Sequence, residues 1–167
     1  IYTNPARVIA AGKVSELAAI KDPDVVKPEA MVLDAKSGAP IGYTMRFIAD
    51  TLPLCQVLTR AFREREGLDH PRMLALIQSL QERVAAIHSA NVVVVDLNEM
   101  NLLVTRDFKR VVAIDVDSYQ TKSFPASAIM PSIRDWSAGK NFTELSDWFS
   151  FACLAFQMFV GIHPFKG

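Results

Sequence analysis

Apolar positions recur at helical spacing in two stretches of the chain and cluster into short runs elsewhere. From Pro71 onward, Met73, Ile77, Leu80, Val84 and Ile87 step by about 3.5 residues, which predicts a helix ending near His88-Ser89-Ala90-Asn91. Pro5 to Ile20 predicts another, with Pro5 near its first turn and Val8, Ala11, Val14, Leu17 and Ala18 along one side, stopped by Lys21-Asp22-Pro23. Leu52 to Arg65 predicts a modest helix with a charged outer face. Met31–Asp34 and Ile41–Met45 predict two short strands around a Ser37-Gly38-Ala39-Pro40 turn. Val92–Val95 predicts a buried strand that delivers the chain to Asp96, and Leu102–Val104 and Val111–Ile114 predict two more around the polar turn 105–110. Asp147 to Val160 is apolar nearly all round and predicts a buried helix, capped by Thr143 or Ser146, stopped by Gly161 and followed by Pro164. No period survives from Tyr119 to Lys140.

The 167 residues suit one domain, and 50% apolar against 22% charged residues is ample for a core, which excludes a disordered tail. Eighteen basic and eighteen acidic side chains cancel, so neither nucleic acid nor an anionic membrane is expected as a partner. Cys55 and Cys153 lie far apart with no Cys/His cluster, which excludes a zinc ribbon or disulfide framework and fits a reducing, cytoplasmic setting. The longest apolar run, Trp148 to Val160, is broken by Ser150 and Gln157 and is too short to span a bilayer. The chain opens at Ile1 without a methionine and stops at Gly167 soon after an apolar helix, and is therefore expected to be a fragment.

Three polar residues stand where apolar runs end: Asp96, Asn101 and Asp115. The hairpin between the last two returns them to the same end of a small sheet. An Asp beside an Asn supplies hard oxygen ligands of the kind Mg²⁺ takes together with substrate phosphates. A second Asp nearby can accept the proton of an attacking hydroxyl.

Val94-Val95-Asp96-Leu97-Asn98-Glu99-Met100-Asn101-Leu102-Leu103-Val104 resembles the catalytic loop of the protein kinase superfamily, H-R-D-L-x-x-x-N followed by a strand. Ile114-Asp115-Val116-Asp117 stands where the D-F-G motif would, and Asp147-Trp148-Phe149 with Gly161-Ile162-His163-Pro164-Phe165 resembles the αF helix and the G-x-x-P-F after it. Ile87-His88-Ser89-Ala90-Asn91-Val92 is similar to the end of the αE helix. The variants look more like divergent prokaryotic or phage kinase-like proteins than eukaryotic kinases.

The resemblance implies an α+β, kinase-like two-lobe fold, with a partial N-lobe sheet over 1–48 and a mainly helical C-lobe over 49–167. It implies ATP and Mg²⁺ as cofactors, with Asp96 as catalytic base and Asn101 and Asp115 as metal ligands. Asp147 becomes a buried brace for the catalytic loop. Met45 falls near the gatekeeper, Arg46-Phe47-Ile48 in the hinge that holds adenine, and Leu103 on the strand beneath it. Glu16 is the αC candidate for pairing with a strand lysine, since its neighbour Lys13 has the wrong sign. The implied activity is phosphoryl transfer to a Ser or Thr hydroxyl of a protein substrate. A non-catalytic binding module and a small-molecule kinase of the aminoglycoside or choline type are the competing classes.

The sequence departs from the family's pattern as well. No G-x-G-x-x-G or V-A-I-K occurs, Val94 and Val95 replace His and Arg, Asn98 replaces the usual Lys, and no A-P-E follows Asp115. The glycine-rich loop and lysine would lie upstream of Ile1, so the chain alone is expected to be inactive. Asp117 is open to a metal-assisting or a turn role. His88 is expected to be a structural helix-end residue, His163 a loop residue, and Arg60-Arg63-Glu64-Arg65-Glu66 a solvated helix face. Ser123, Ser127 and Ser132 are exposed-loop candidates for phosphorylation.

Overall fold

The computed structural model of the protein describes residues 1–4, 7–126, 129–139 and 141–165, so Pro5, Ser127, Lys140 and Gly167 named above lie outside the described residues. The first helix, α1 (Ala11–Leu17), is shorter than the periodicity predicts. Its N-cap, Ala10, has no side chain to satisfy the first backbone N–H groups, so nothing favours an earlier start. The hairpin β1 (Pro28–Leu33) and β2 (Pro40–Met45) follows, with Met31 opposite Tyr43 and Val32 opposite Gly42. Its turn is set by Asp34, whose Oδ1 accepts from Ser37 N at 2.7 Å and Ser37 Oγ at 2.8 Å. Gly42 is required by close approach: a Cβ there would lie 2.8 Å from Ile1 Cα, where the first residues run beside β2 and Tyr2 N donates to Ile41 O at 2.8 Å.

The segment expected as one helix over 52–65 is broken in three. Thr51–Pro53 forms β3, and α2 (Leu54–Val57) and α3 (Arg60–Glu66) follow. Pro53 starts the turn after the strand, and Thr59 interrupts the helical run by capping α3 through Phe62 N. Arg63 does not belong to a solvated face: its Nε donates to Val57 O at 2.8 Å and Nη2 to Gln157 O at 3.4 Å, while Arg60 and Glu64 pair in solvent. Helix α4 (His70–His88) is capped by Asp69 and buries Met73, Leu76, Leu80, Val84 and Ile87. Strands β4 (Leu102–Thr105) and β5 (Val111–Ala113) join β3 in an antiparallel sheet ordered β3-β4-β5.

Val92, Val94 and Val95 are buried and Val93 is half-buried, but the run is not a strand. It makes a single bridge, Val93 with Gln120, and Val95 has φ +66, a conformation that no strand contains. Helix α5 (Glu144–Val160) starts three residues earlier than expected because Thr143 and Ser146 form a reciprocal capping box. It is not buried all round. Ser146, Asp147, Ser150, Cys153, Leu154 and Met158 face inward, whereas Leu145, Phe156, Phe159 and Val160 are exposed. Among the described residues no helix is long and apolar enough to cross a membrane.

One hydrophobic core runs from Leu17 and Ile20 through Leu76, Leu80 and Val104 to Leu154. The link between α1 and the hairpin is pinned to it by charge. Asp24, buried to 6% exposure, accepts from Arg83 Nη1 and Arg110 Nη1, both at 2.8 Å, and Arg83 Nε lies 3.0 Å from Asp22. Asp24 O also accepts from Ala113 N at 2.8 Å, and Val26 N donates to Ala113 O at 2.9 Å, which seats this link along β5. Removing Arg83 leaves the largely buried Asp22 without its guanidinium and Asp24 with Arg110 alone, so Arg83→Ala should lower unfolding free energy by about 3 kcal/mol. Urea denaturation checks this, and a loss under about 1 kcal/mol would show the cluster to be effectively solvated.

Candidate active site

The loop that carries Asp96 is shaped by a carboxylate from another element. The capping box places Asp147 in the first turn of α5, where it is fully buried. Its Oδ2 accepts from Val94 N at 2.7 Å and lies 2.8 Å from His88 Nε2, and its Oδ1 accepts from Val95 N at 2.8 Å. His88, at the end of α4, packs edge-on against Trp148 with ring centroids 5.4 Å apart. Two consecutive amides aimed at one carboxylate force the backbone to turn, which is why four valines do not extend here. The turn leaves Val95, a β-branched residue, in the left-handed region.

Beyond this turn the loop folds onto itself around Asp96. Asn98, 2% exposed, donates through N and Nδ2 to Asp96 O, and its Oδ1 accepts from Met100 N at 2.8 Å. Asn101 Nδ2 donates to Asp96 O at 3.1 Å and to Asp96 Oδ2 at 3.2 Å. Asn101 O accepts from Ile114 N at 3.0 Å, extending the β4–β5 pairing by one step and setting Asp115 beside the loop. Asp96, Asn101 and Asp115 are thus brought together. The other oxygen of Asp96, Oδ1, accepts from Met130 N at 2.6 Å, a contact from the irregular segment that nothing in the sequence signals.

Asp115 adopts φ +60, which short polar residues tolerate, and its carbonyl accepts from Ser118 N and Oγ in the following turn, 116–118. Asp115 is exposed as a residue, but partial desolvation of its carboxyl holds it above the usual range, and the negative charges of Asp117 and Asp96 add to the effect against Ser118 and Lys13. The residues suit a hard divalent cation. Asn101 spends its amide nitrogen on Asp96, which leaves its carbonyl oxygen as the remaining donor atom, and Asp115 supplies a carboxylate. Among the described residues no group of three or more His, Cys, Asp or Glu side chains forms a complete metal cage. One carboxylate and one amide oxygen, completed by substrate phosphates and water, is the sparse protein ligation that Mg²⁺ accepts.

A cavity of about 550 Å³ opens beside Asp115, walled by Met45, Arg46, Phe47, Ile48 and Leu103, with Val26, Tyr43, Thr51 and Ile114. Every hinge residue expected to hold adenine therefore lines one apolar cleft that ends on the acidic group. Arg46 is turned outward to Pro23 O.

Glu16 is not brought to this site. Its carboxylate accepts from Ser123 N at 3.1 Å, and hydrogen bonds from Thr121 and Ser123 hold it below the usual range. The α1 residue that reaches the acidic group is Lys13, whose Nζ donates to Asp117 O at 2.7 Å. Lys13 lies four residues from both Ile9 and Leu17, so a lysine on the apolar stripe was the signal in the sequence. Asp117 is half-buried and engaged by two hydroxyls: its Oδ2 accepts from Tyr2 OH at 2.6 Å and its Oδ1 from Tyr43 OH at 2.8 Å. Burial and the Asp117 carboxylate raise the pKa of both hydroxyls, keeping them as donors.

No protein-family profile matches the chain. Protein kinase YegI from Escherichia coli strain K12 and its counterpart from E. coli O157:H7 are each 27% identical over a 190-position alignment that takes in the whole chain. The chain spans 28% of the length of these curated relatives. Among solved structures, the kinase PK-1 of Cydia pomonella granulovirus superposes with a TM-score of 0.70 over 95% of this chain and 58% of that chain, at 16% identity.

Two stability measurements probe the site directly. Asp147→Ala leaves two buried amides and an imidazole without their acceptor and should cost about 3–5 kcal/mol in urea unfolding; an unchanged midpoint would show that the loop holds its own shape. Asp115 works in the opposite sense. A carboxyl whose folded pKa is raised binds its proton more tightly in the folded state, so its stabilising share is complete below the unfolded pKa and is lost as pH rises. Asp115→Asn should therefore melt at a higher temperature than wild type at neutral pH, with the difference closing toward about pH 4. A variant less stable than wild type at neutral pH would contradict this.

Proposed function

We propose that this protein kinase-like domain serves a phosphotransferase that moves the γ-phosphoryl group of ATP to a Ser or Thr hydroxyl of a protein substrate. Residues 1–48 would cover the nucleotide and residues 49–167 would carry the chemistry. The observation that carries this reading is the joint position of Asp96, Asn101 and Asp115 beside a cleft walled by Met45–Ile48 and Leu103. The likeness to proteins described as kinases supports it in general terms.

In this mechanism the apolar cleft takes the adenine and directs the phosphates toward Asp115. Asp115 and Asn101 Oδ1 would hold Mg²⁺, which when bound would neutralise phosphate charge. Asp96 Oδ2, oriented by Asn101 Nδ2, accepts the proton of the incoming hydroxyl as its oxygen bonds to the γ-phosphorus and the bond to the β-phosphate oxygen breaks. Asp147 keeps Asp96 in place without touching substrate. Positioning and charge neutralisation supply most of the rate, so small displacements of this loop are costly.

A second reading, a nucleotide-binding module without turnover, is favoured by one contact: Met130 N occupies Asp96 Oδ1, on the group that must meet the substrate. The full-length parent incubated with γ-labelled ATP and Mg²⁺, with Ser/Thr peptides beside a panel of hydroxylated metabolites, separates these readings. Asp96→Asn should cut peptide phosphorylation by about 10²–10⁴-fold with nucleotide affinity unchanged. Normal turnover by that variant would overturn the assignment, and a parent that binds ATP without transferring phosphate would establish the second reading.

A further inference from the structure

Asp117 stands two residues beyond Asp115, in the 116–118 turn, and both of its oxygens are engaged from distant parts of the chain. Tyr2 OH donates to Oδ2 at 2.6 Å and Tyr43 OH to Oδ1 at 2.8 Å. The two rings meet edge-on with centroids 5.9 Å apart, so each steadies the other. Lys13 Nζ holds the carbonyl of the same residue at 2.7 Å. The opening segment, β2 and α1, all within residues 1–48, therefore converge on one residue of the turn after β5. Hydrogen bonds from a phenol to a carboxylate are charge-assisted, which makes this a firm anchorage.

Asp115 depends on that anchorage. Its φ of +60 is one that a residue with a side chain keeps only where its surroundings enforce it. Before it, Ile114 N donates to Asn101 O at 3.0 Å; after it, the Asp115 carbonyl accepts from Ser118 N and Oγ. The residue thus hangs between the end of the sheet and the turn, and moves if the turn moves. Resting on the reading above, in which Asp115 holds Mg²⁺, we propose that Tyr2 and Tyr43 are positioning residues for the metal. By fixing Asp117 they fix the turn that aims the Asp115 carboxylate. Contacts that orient a metal ligand without touching the metal govern its affinity in this way. Tyr43 lines the cleft and Tyr2 lies outside its wall, so an effect of Tyr2 has no route through contact with nucleotide. The rival arrangement, in which Asp117 itself takes the cation, predicts the opposite sign, because deleting a phenol frees a carboxylate oxygen.

The test uses the full-length parent carrying Tyr2→Phe or Tyr43→Phe, each of which keeps the ring and deletes one donor. Titration calorimetry measures the affinity of adenosine, of ATP with EDTA and of Mg²⁺–ATP. Both variants should weaken Mg²⁺–ATP by roughly 10-fold, the low end of what losing an orienting contact costs a metal site, and leave the two metal-free ligands unchanged. Unchanged or tighter Mg²⁺–ATP binding would overturn the positioning role while leaving the nucleotide site standing. An equal loss for all three ligands would reduce the phenols to supports of the fold and overturn it too. A wild-type parent that binds ATP equally well with and without Mg²⁺ overturns the metal role of Asp115 itself. One that binds none of the three overturns the proposed function, and the assignment falls in either case.

Discussion

The arrangement of this molecule hangs on the Asp147 carboxylate. It has no solvent exposure, and it meets that cost by accepting hydrogen bonds from two consecutive loop amides and by contact with His88. Those contacts tie together the start of α5, the end of α4 and the loop between α4 and β4. They also stabilise the left-handed Val95, a conformation that costs of order 1–3 kcal/mol when nothing enforces it. Asp96 emerges immediately after that forced turn, so its direction is inherited from a residue that is itself wholly buried.

A second layer of organisation is electrostatic and comes from the opposite side. Asp115 and Asp117 sit two residues apart in one tight turn, with Asp96 near enough to act on Asp115. The structure separates their tasks. Asp117 is held by the hydroxyls of Tyr2 and Tyr43, and Asp115 lines the cleft. The absence of a side chain at Gly42 lets the first residues run close enough to β2 for both tyrosines to meet on one carboxylate. The hairpin, α1 and the turn after β5 are therefore joined through Asp117, by its carboxylate on one side and its carbonyl on the other.

Much of this was legible in the residues themselves. The α4 periodicity, the β4–β5 hairpin and the caps of the last helix are local signals, and the protein keeps them because packing agrees with them. Asp96, Asn101 and Asp115 stood out because each borders an apolar run, whereas the hinge was named only through the resemblance of the chain to the kinase pattern. What escaped was set by partners distant in the chain. Val92–Val95 has strand composition, yet Asp147, more than fifty residues away, bends it. Lys13, set aside for its sign, is the α1 residue that reaches the acidic turn, because a sequence gives the sign of a charge but not the direction of a seven-residue helix. The exposed apolar row of α5 was invisible to hydropathy, which measures how much a helix wants covering and not how much of it is covered.

The contact between Met130 N and Asp96 Oδ1 has a consequence for how such a site can be dissected. Its donor belongs to the backbone, so replacing Met130 with alanine, or with any residue that keeps an amide hydrogen, leaves the bond in place. A side-chain scan would pass over the position and record it as silent. Proline alone among the standard residues deletes that hydrogen, and Met130 already has φ −78, within the range a pyrrolidine ring imposes. The neighbour that follows is itself Pro131, so this stretch is one replacement away from lacking the donor altogether.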